Sequence, residues 1–327
     1  MARKLVAVTD SVFPNLGPAR EVLGRIDAQL QLAPEPTPDA ISRMARDADA
    51  ILTTYAKVTA EIIGGLTRCQ IIGRFGIGVD NIDIAAATAK GIVVTRVPDY
   101  CLDEVSDHTM TLLLSLVRKI PFLNARSQSG TWEMKAAVPI HRLRGTVLGL
   151  VAFGQIPQLV APKAKAFGMR VVTFDPYVTP EVLARAGVEG VEFDELLKIS
   201  DYISIHTPLV PATHHLFNAD IFRRMKSSAY VINTSRGPVI DEAALAEALD
   251  KKEIAGAAID VMEKEPTTSS PLFGRDNVIV TPHTSFYSEE SLVDLQSKAA
   301  EEVVRVLSGQ APRNPVNSET LKAAFGK

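Results

Sequence analysis

Three side chains in the second half of the chain carry groups that bind anions and move protons. Arg236 stands in NTSRGPVIDEAAL (233–245), Glu265 in DVMEKEP (260–266) and His283 in TPHTSFYSEE (281–290). Each follows or closes an apolar run that reads as a strand: YVINTS before Arg236, AGAAIDV before Glu265, and NVIVTPH, which ends on His283. If those strands are parallel neighbours, their carboxyl ends line one edge of a sheet, where ligands bind in α/β folds. A guanidinium, a carboxylate and an imidazole would then converge on that edge. Taken singly, an Arg–Glu pair is most often a surface ion pair and a histidine a satisfied structural residue. Together at the rim of a nucleotide-type fold they make a site.

A second stretch supplies that fold. LGLVAFGQIPQLVAPKAKAFGMRVVTFDP (148–176) runs strand, glycine turn, helix, strand, acidic residue, the order of a dinucleotide-binding unit. Its fingerprint reads Ala152-Phe153-Gly154-Gln155-Ile156-Pro157, with only the middle glycine kept. That glycine is the one that lets backbone approach a pyrophosphate. Pro157 falls in the first helical turn, where a missing N–H costs little. Ala152 is the larger departure: if the turn needs a positive φ, its methyl costs about 1–2 kcal/mol, and glycine there should tighten cofactor binding. Pro162 is expected to kink the helix. Asp175 closes the next strand, where a carboxylate can accept from both adenosine ribose hydroxyls and repel a 2′-phosphate. Read alone, the stretch fits an ordinary strand–turn–helix that binds nothing as well as it fits a cofactor site.

Alternating short and long elements must position these residues. KLVAVTD (4–10), DAILTT (49–54), QIIGRFG (70–76) and GIVVTRV (91–97) read as buried strands, with helices at PDAISRMARDA (38–48) and NIDIAAATAKG (81–91). DEVSDHTMTLLLSLVRKI (103–120) reads as one long helix, acidic at its start and basic at its end, which suits the helix dipole. After the loop holding Trp132, a second series of strands begins at Gly145: VLGLVAF, RVVTF, YISIH, YVINTS, AGAAIDV and NVIVTPH. Strands alternating with helices imply parallel sheets covered on both faces. The fold class is therefore α/β, in two lobes with a boundary near 100–120. SEESLVDLQSKAAEEVVRVLSGQ (288–310) reads as a helix capped by Ser288 and stopped by Gly309.

Bulk properties narrow the class further. A chain of 327 residues exceeds the size at which single cores stop growing. A net charge of −3 gives no general attraction for nucleic acid or acidic membranes. The start, MARKLVAVTDS, reads as a first strand and not a signal peptide, and no apolar run reaches the roughly 18 residues of a membrane span. The 2 cysteines, Cys69 and Cys101, are too few for a disulfide framework, so reduced thiols and a cytoplasmic setting are expected. No metal is expected.

Nearly the whole chain resembles the D-isomer-specific 2-hydroxyacid dehydrogenase family. The resemblance rests on GRFGIGVDNID (73–83), VPDYCLDEVSDHT (97–109), LRGTVLGLVAFGQI (143–156), HTPLVPAT (206–213), NTSRGPVIDEAAL, DVMEKEP and TPHTSFYSEE. Phosphoglycerate dehydrogenases share the layout, and HTSFYSEE is similar to the branch containing the C-terminal binding proteins. The family implies two Rossmann-like doubly wound domains: a substrate domain of 1–100 plus 288–327, and an NAD-binding domain of 101–287 inserted into it. It also implies a homodimer formed mainly through the NAD-binding domains.

By resemblance, Arg236 holds the substrate carboxylate and carbonyl, His283 is the acid–base group and Glu265 supports its imidazole. Gly154, Gln155, Ile156 and Asp175 would bind NAD, with Thr207, Thr234 and Ser235 toward the nicotinamide and Asp260 at its carboxamide. The backbone of Gly76-Ile77-Gly78 would bind the substrate carboxylate; the residues read equally as a glycine-eased turn. Arg74, Tyr100 and Phe286 would line the pocket. Formate dehydrogenases of the superfamily carry glutamine where Glu265 stands, and phosphite dehydrogenases a lysine near Ile77, so both resemble this chain less. The implied activity is NAD-dependent interconversion of a 2-keto acid and a D-2-hydroxy acid. The alternative is an NAD(H)-sensing scaffold of the C-terminal binding protein type.

Overall fold

Runs of Val, Ile, Leu and Ala too short for helices become strands buried on both faces, as parallel sheets require. In the computed structural model, which describes residues 3–325, they form two separate sheets. The first contains β1 (Lys4–Val8), β2 (Ala28–Leu32), β3 (Ala50–Thr53), β4 (Ile71–Arg74) and β5 (Val93–Thr95), in the order β2-β1-β3-β4-β5. The second contains β6 (Val147–Val151), β7 (Arg170–Phe174), β8 (Glu189–Gly190), β9 (Tyr202–Ile205), β10 (Tyr230–Asn233), β11 (Gly256–Ile259) and β12 (Val278–Val280), in the order β12-β11-β10-β9-β6-β7-β8. Every pairing between these strands is parallel. The chain divides into two compact units, Met1–Tyr100 with Ser288–Lys327, and Cys101–Tyr287.

Side-chain alternation builds two apolar layers on the second sheet. Ile203, Val231 and Ala257 point into one core, and Tyr202, Ile232 and Ala258 into the other, the period of 2 that a strand imposes. The helix Leu102–Val117 packs over β10, β11 and β12 with Leu112, Leu113 and Leu116 buried. Asp103 and Glu104 lie in its first turn, and it ends at Arg118. A second helix, Ile120–Gln128, follows at once, in a stretch that reads from sequence as helix end and loop.

Within the first unit, the helix Glu289–Leu307 packs on the helix Gly17–Gly24 and on β4. Ser288 and Ser291 close a capping box at its start, and Gly309 takes φ +75° after its end, so both end signals read from the sequence are used. Two edge strands are not legible beforehand. β2 carries alternating glutamines, and β8 has only 2 residues. Pro162 does not break the helix Gln155–Ala166: it sits on the exposed face, one turn beyond the exposed Gln158 whose carbonyl loses a partner. No described helix is long and apolar enough to cross a membrane.

Candidate active site

The residues singled out by their chemistry lie at the carboxyl edge of the second sheet. Gly154 follows β6, Asp175 follows β7, Thr207 follows β9, Thr234 to Arg236 follow β10, Asp260 follows β11 and His283 follows β12. Arg236, Glu265 and His283 are thus presented by three neighbouring strands.

His283 and Glu265 are in direct contact, with Nδ1 at 2.6 Å from Oε2. The other carboxylate oxygen accepts the Met262 N–H at 2.7 Å, which fixes the plane of the group. Holding the ring at Nδ1 directs Nε2 as the other functional nitrogen, the arrangement an acid–base imidazole needs. Phe286 meets the ring edge-on at 6.0 Å. His283 itself has φ +53°, a left-handed conformation uncommon for residues with a side chain, although histidine, like asparagine and aspartate, adopts it more often than most. Its backbone N–H is held by Asp260 O at 2.8 Å and Thr281 O at 3.0 Å. Strain of this kind persists only where surrounding contacts over-determine it, and it clusters at functional sites.

The Arg236 turn is tied by a residue that the sequence motif does not announce. Asn233 is fully buried; its Oδ1 accepts Ser235 N–H at 3.0 Å and Ser235 Oγ at 2.8 Å, and its Nδ2 donates to Arg236 O at 3.0 Å. Gly237 then lets this turn touch the Glu265 turn. A Cβ on Gly237 would lie 1.8 Å from Met262 O and 2.6 Å from Glu263 N, separations no side chain tolerates. Only glycine allows the arginine-bearing and glutamate-bearing backbones to pack this closely. Thr234 Oγ1 meets Thr109 Oγ1 at 3.0 Å in the interior.

Asp260 is fully buried. Its Oδ1 accepts from Thr281 Oγ1 at 2.6 Å and Thr284 N–H at 3.0 Å, and its Oδ2 accepts Ser285 N–H at 3.0 Å. It therefore ties down the turn on both sides of His283, an arrangement invisible in the sequence because two of its three donors are backbone groups.

The cofactor half of the edge answers the question posed by the altered fingerprint. Ala152 has φ +77°, so the turn does demand the conformation that favours glycine. Its N–H bonds Phe174 O at 2.8 Å, continuing the β6–β7 pairing. Gly154 caps the helix Gln155–Ala166, and nothing lies within 4 Å of a Cβ built on it. Above that open space the first-turn N–H groups of Gln155 and Ile156 have no acceptor within the helix, the usual anion seat. Asp175 accepts Phe153 N–H and Tyr177 N–H, each at 2.8 Å, and keeps a lone pair on each oxygen. Thr207 Oγ1 is buried and without a hydrogen-bond partner, a position an incoming ligand would satisfy. Beside it, burial pushes the His206 imidazole down to about 3, so the ring is neutral; its Nε2 meets Ser204 Oγ at 2.9 Å. The open seat, the carboxylate and the orphaned hydroxyl fit a dinucleotide.

Gly76, Ile77 and Gly78 lie in the other unit, just past β4. Gly76 has φ +151°, a backbone conformation that residues with a side chain rarely adopt, and the Arg74 guanidinium lies against it. The Arg74 guanidinium also lies 5.7 Å from the Tyr55 ring centre.

A parallel sheet whose chain order reverses between β6 and β9, with a glycine-led helix N-terminus at that point, defines the second unit as dinucleotide-binding. Residues 110–285 match the D-isomer specific 2-hydroxyacid dehydrogenase, NAD binding domain. The chain is 39% identical over 318 residues to a D-3-phosphoglycerate dehydrogenase of Methanocaldococcus jannaschii, covering 97% of this chain and 60% of that protein. It is 37% identical over 287 residues to a glyoxylate reductase of Thermococcus litoralis, covering 85% and 86%. The crystal structure of a D-lactate dehydrogenase from Aquifex aeolicus, complexed with NAD and lactic acid, aligns with TM-score 0.85 over 98% of each chain at 27% identity. The chain belongs to the D-isomer-specific 2-hydroxyacid dehydrogenase family. It spans only about half to three-fifths of the length of the curated D-3-phosphoglycerate dehydrogenases it matches.

Proposed function

We propose that the chain is an NAD(H)-dependent dehydrogenase that interconverts a small 2-keto acid and the matching D-2-hydroxy acid. The observation that carries this reading is the His283–Glu265 pair at 2.6 Å on the sheet edge that also presents Arg236. Bound NADH supplies the hydride that reduces the keto carbon. Arg236 binds the substrate carboxylate and polarises the carbonyl, which fixes the face that is reduced. His283 Nε2 gives its proton to the carbonyl oxygen, and Glu265 stabilises the imidazolium until it does. In the oxidising direction the neutral ring takes the hydroxyl proton. Each reduction thus consumes one proton from solvent, which restores His283.

Gly154, Gln155 and Ile156 receive the pyrophosphate, Asp175 the adenosine ribose, and Thr207, Thr234, Ser235 and Asp260 the nicotinamide half. A protein-binding scaffold has no need of a complete Arg236, Glu265 and His283 set, which favours the enzyme. A homodimer, as the family resemblance implies, would cover side chains such as Trp132, 93% exposed, and Met134, 80% exposed. The relatives' names point to glyoxylate, pyruvate and phosphorylated C3 keto acids as first substrates. Loss of NADH absorbance at 340 nm with such a panel tests the proposal; saturable NADH binding without turnover of any keto acid would favour the scaffold.

A further inference from the structure

His108 lies behind the catalytic turn, on the face of the helix Leu102–Val117 that packs over β11 and β12. Its Nε2 is 3.2 Å from Thr281 Oγ1 and 3.6 Å from Asp260 Oδ1. The polarity of this contact follows from valence. Thr281 Oγ1 donates its single hydroxyl proton to Asp260 Oδ1 at 2.6 Å, while the two Asp260 oxygens also accept the Thr284 and Ser285 N–H groups. Thr281 Oγ1 then has only lone pairs left for His108. The proton in that contact belongs to His108 Nε2.

We infer that His108 is a positioning residue for the reaction, donating through Nε2–H to Thr281 and thereby orienting the Asp260 carboxylate that holds the His283 turn. The chain of donors runs one way: His108 Nε2–H to Thr281 Oγ1, Thr281 O–H to Asp260 Oδ1. Asp260 in turn accepts the N–H groups of Thr284 and Ser285, and its own backbone O accepts that of His283. These bonds hold His283 at φ +53°. Without the His108 donor, Thr281 Oγ1 loses one of the two bonds that fix its position, so its bond to Asp260 Oδ1 can lengthen and the Asp260 carboxyl group can shift, moving the turn it holds. A displacement of His283 by a fraction of an ångström weakens proton transfer more than it weakens cofactor binding. His108 touches neither substrate nor cofactor in this scheme; it acts through Thr281 and Asp260.

The kinetic part of the test rests on the dehydrogenase reading, and a spectroscopic part does not. His108→Phe keeps the ring volume and removes the donor, whereas His108→Gln keeps an N–H of similar reach. Expected for His108→Phe is a fall in kcat of roughly ten-fold, with the NADH dissociation constant changed less than two-fold; His108→Gln should recover most of the loss. Equal kcat in wild type and His108→Phe would overturn the inference, as would a Gln variant no better than Phe. Long-range 15N spectra of histidine-labelled protein at pH 8, assigned with the His108→Gln variant, should show His108 protonated at Nε2. Thr281→Val should abolish that preference. An unprotonated Nε2 at His108, or a Thr281→Val spectrum identical to wild type, would overturn the inference even if no keto acid is turned over.

Discussion

Ala152→Gly separates strain in the fold from strain in the binding site. Ala152 takes φ +77°, and hydrogen bonds from Ala152 N–H to Phe174 O and from Phe153 N–H to Asp175, each 2.8 Å, hold it there. Those bonds belong to the fold, so the strain is carried with and without cofactor. A left-handed alanine costs about 1–2 kcal/mol, and glycine returns part of that as unfolded-state entropy, about 0.5–1 kcal/mol. The net gain is about 0.5–1 kcal/mol of stability, which raises Tm by roughly 1–4 °C for a unit of this size. The dissociation constant for NADH should stay within about two-fold, a smaller effect on affinity than the fingerprint alone implies. Differential scanning calorimetry and NADH fluorescence titration on both proteins check this. A lower Tm for the glycine variant, or a five- to ten-fold tighter NADH complex at unchanged Tm, would refute the reasoning.

Other substitutions probe the chemistry and its support. His283→Ala should lower kcat by roughly 10²–10⁴-fold with NADH affinity nearly unchanged; turnover close to wild type would remove His283 from the mechanism. Glu265→Gln takes away the carboxylate that holds His283 Nδ1 at 2.6 Å, so kcat should fall by roughly ten-fold or more with NADH affinity nearly unchanged; unaltered turnover would deny the coupling. NADH should give a higher kcat/KM than NADPH, because in the proposed binding mode Asp175 would receive the ribose and repel a 2′-phosphate, and Pro176 and Tyr177, not an arginine, follow it. Gly237→Ala forces a methyl to 1.8 Å from Met262 O, and should destabilise the protein by about 1–3 kcal/mol and reduce kcat/KM; unaltered melting and kinetics would mean the two turns separate without penalty.

The sequence reveals what recurs with a period and hides what depends on distance. Apolar runs ending in polar residues locate ten of the strands near their observed ends, as at Arg170–Phe174. β2 and β8 escape because an edge strand does not have to be apolar on both faces. Arg236, Glu265 and His283 stand out because each sits just beyond a strand and carries unusual chemistry for a turn. Asn233 and Gly237 look like ordinary turn residues; their importance lies in a buried amide and in a close approach to a loop about 25 residues away. Asp260 attracts attention as a carboxylate at a strand end, but its hold on Thr284 and Ser285 depends on two strands lying side by side. His108 reads as one more position in an amphipathic helix until Thr281 is placed against it.

Hydride transfer is tested most directly with NADH deuterated at the transferable C4 position and the keto acid that gives the fastest absorbance loss. The product should be the D-2-hydroxy acid with one deuterium at C2, formed at a rate that collapses in His283→Ala. A product without deuterium, the L enantiomer, or equal rates in wild type and His283→Ala would contradict hydride transfer guided by Arg236 and His283.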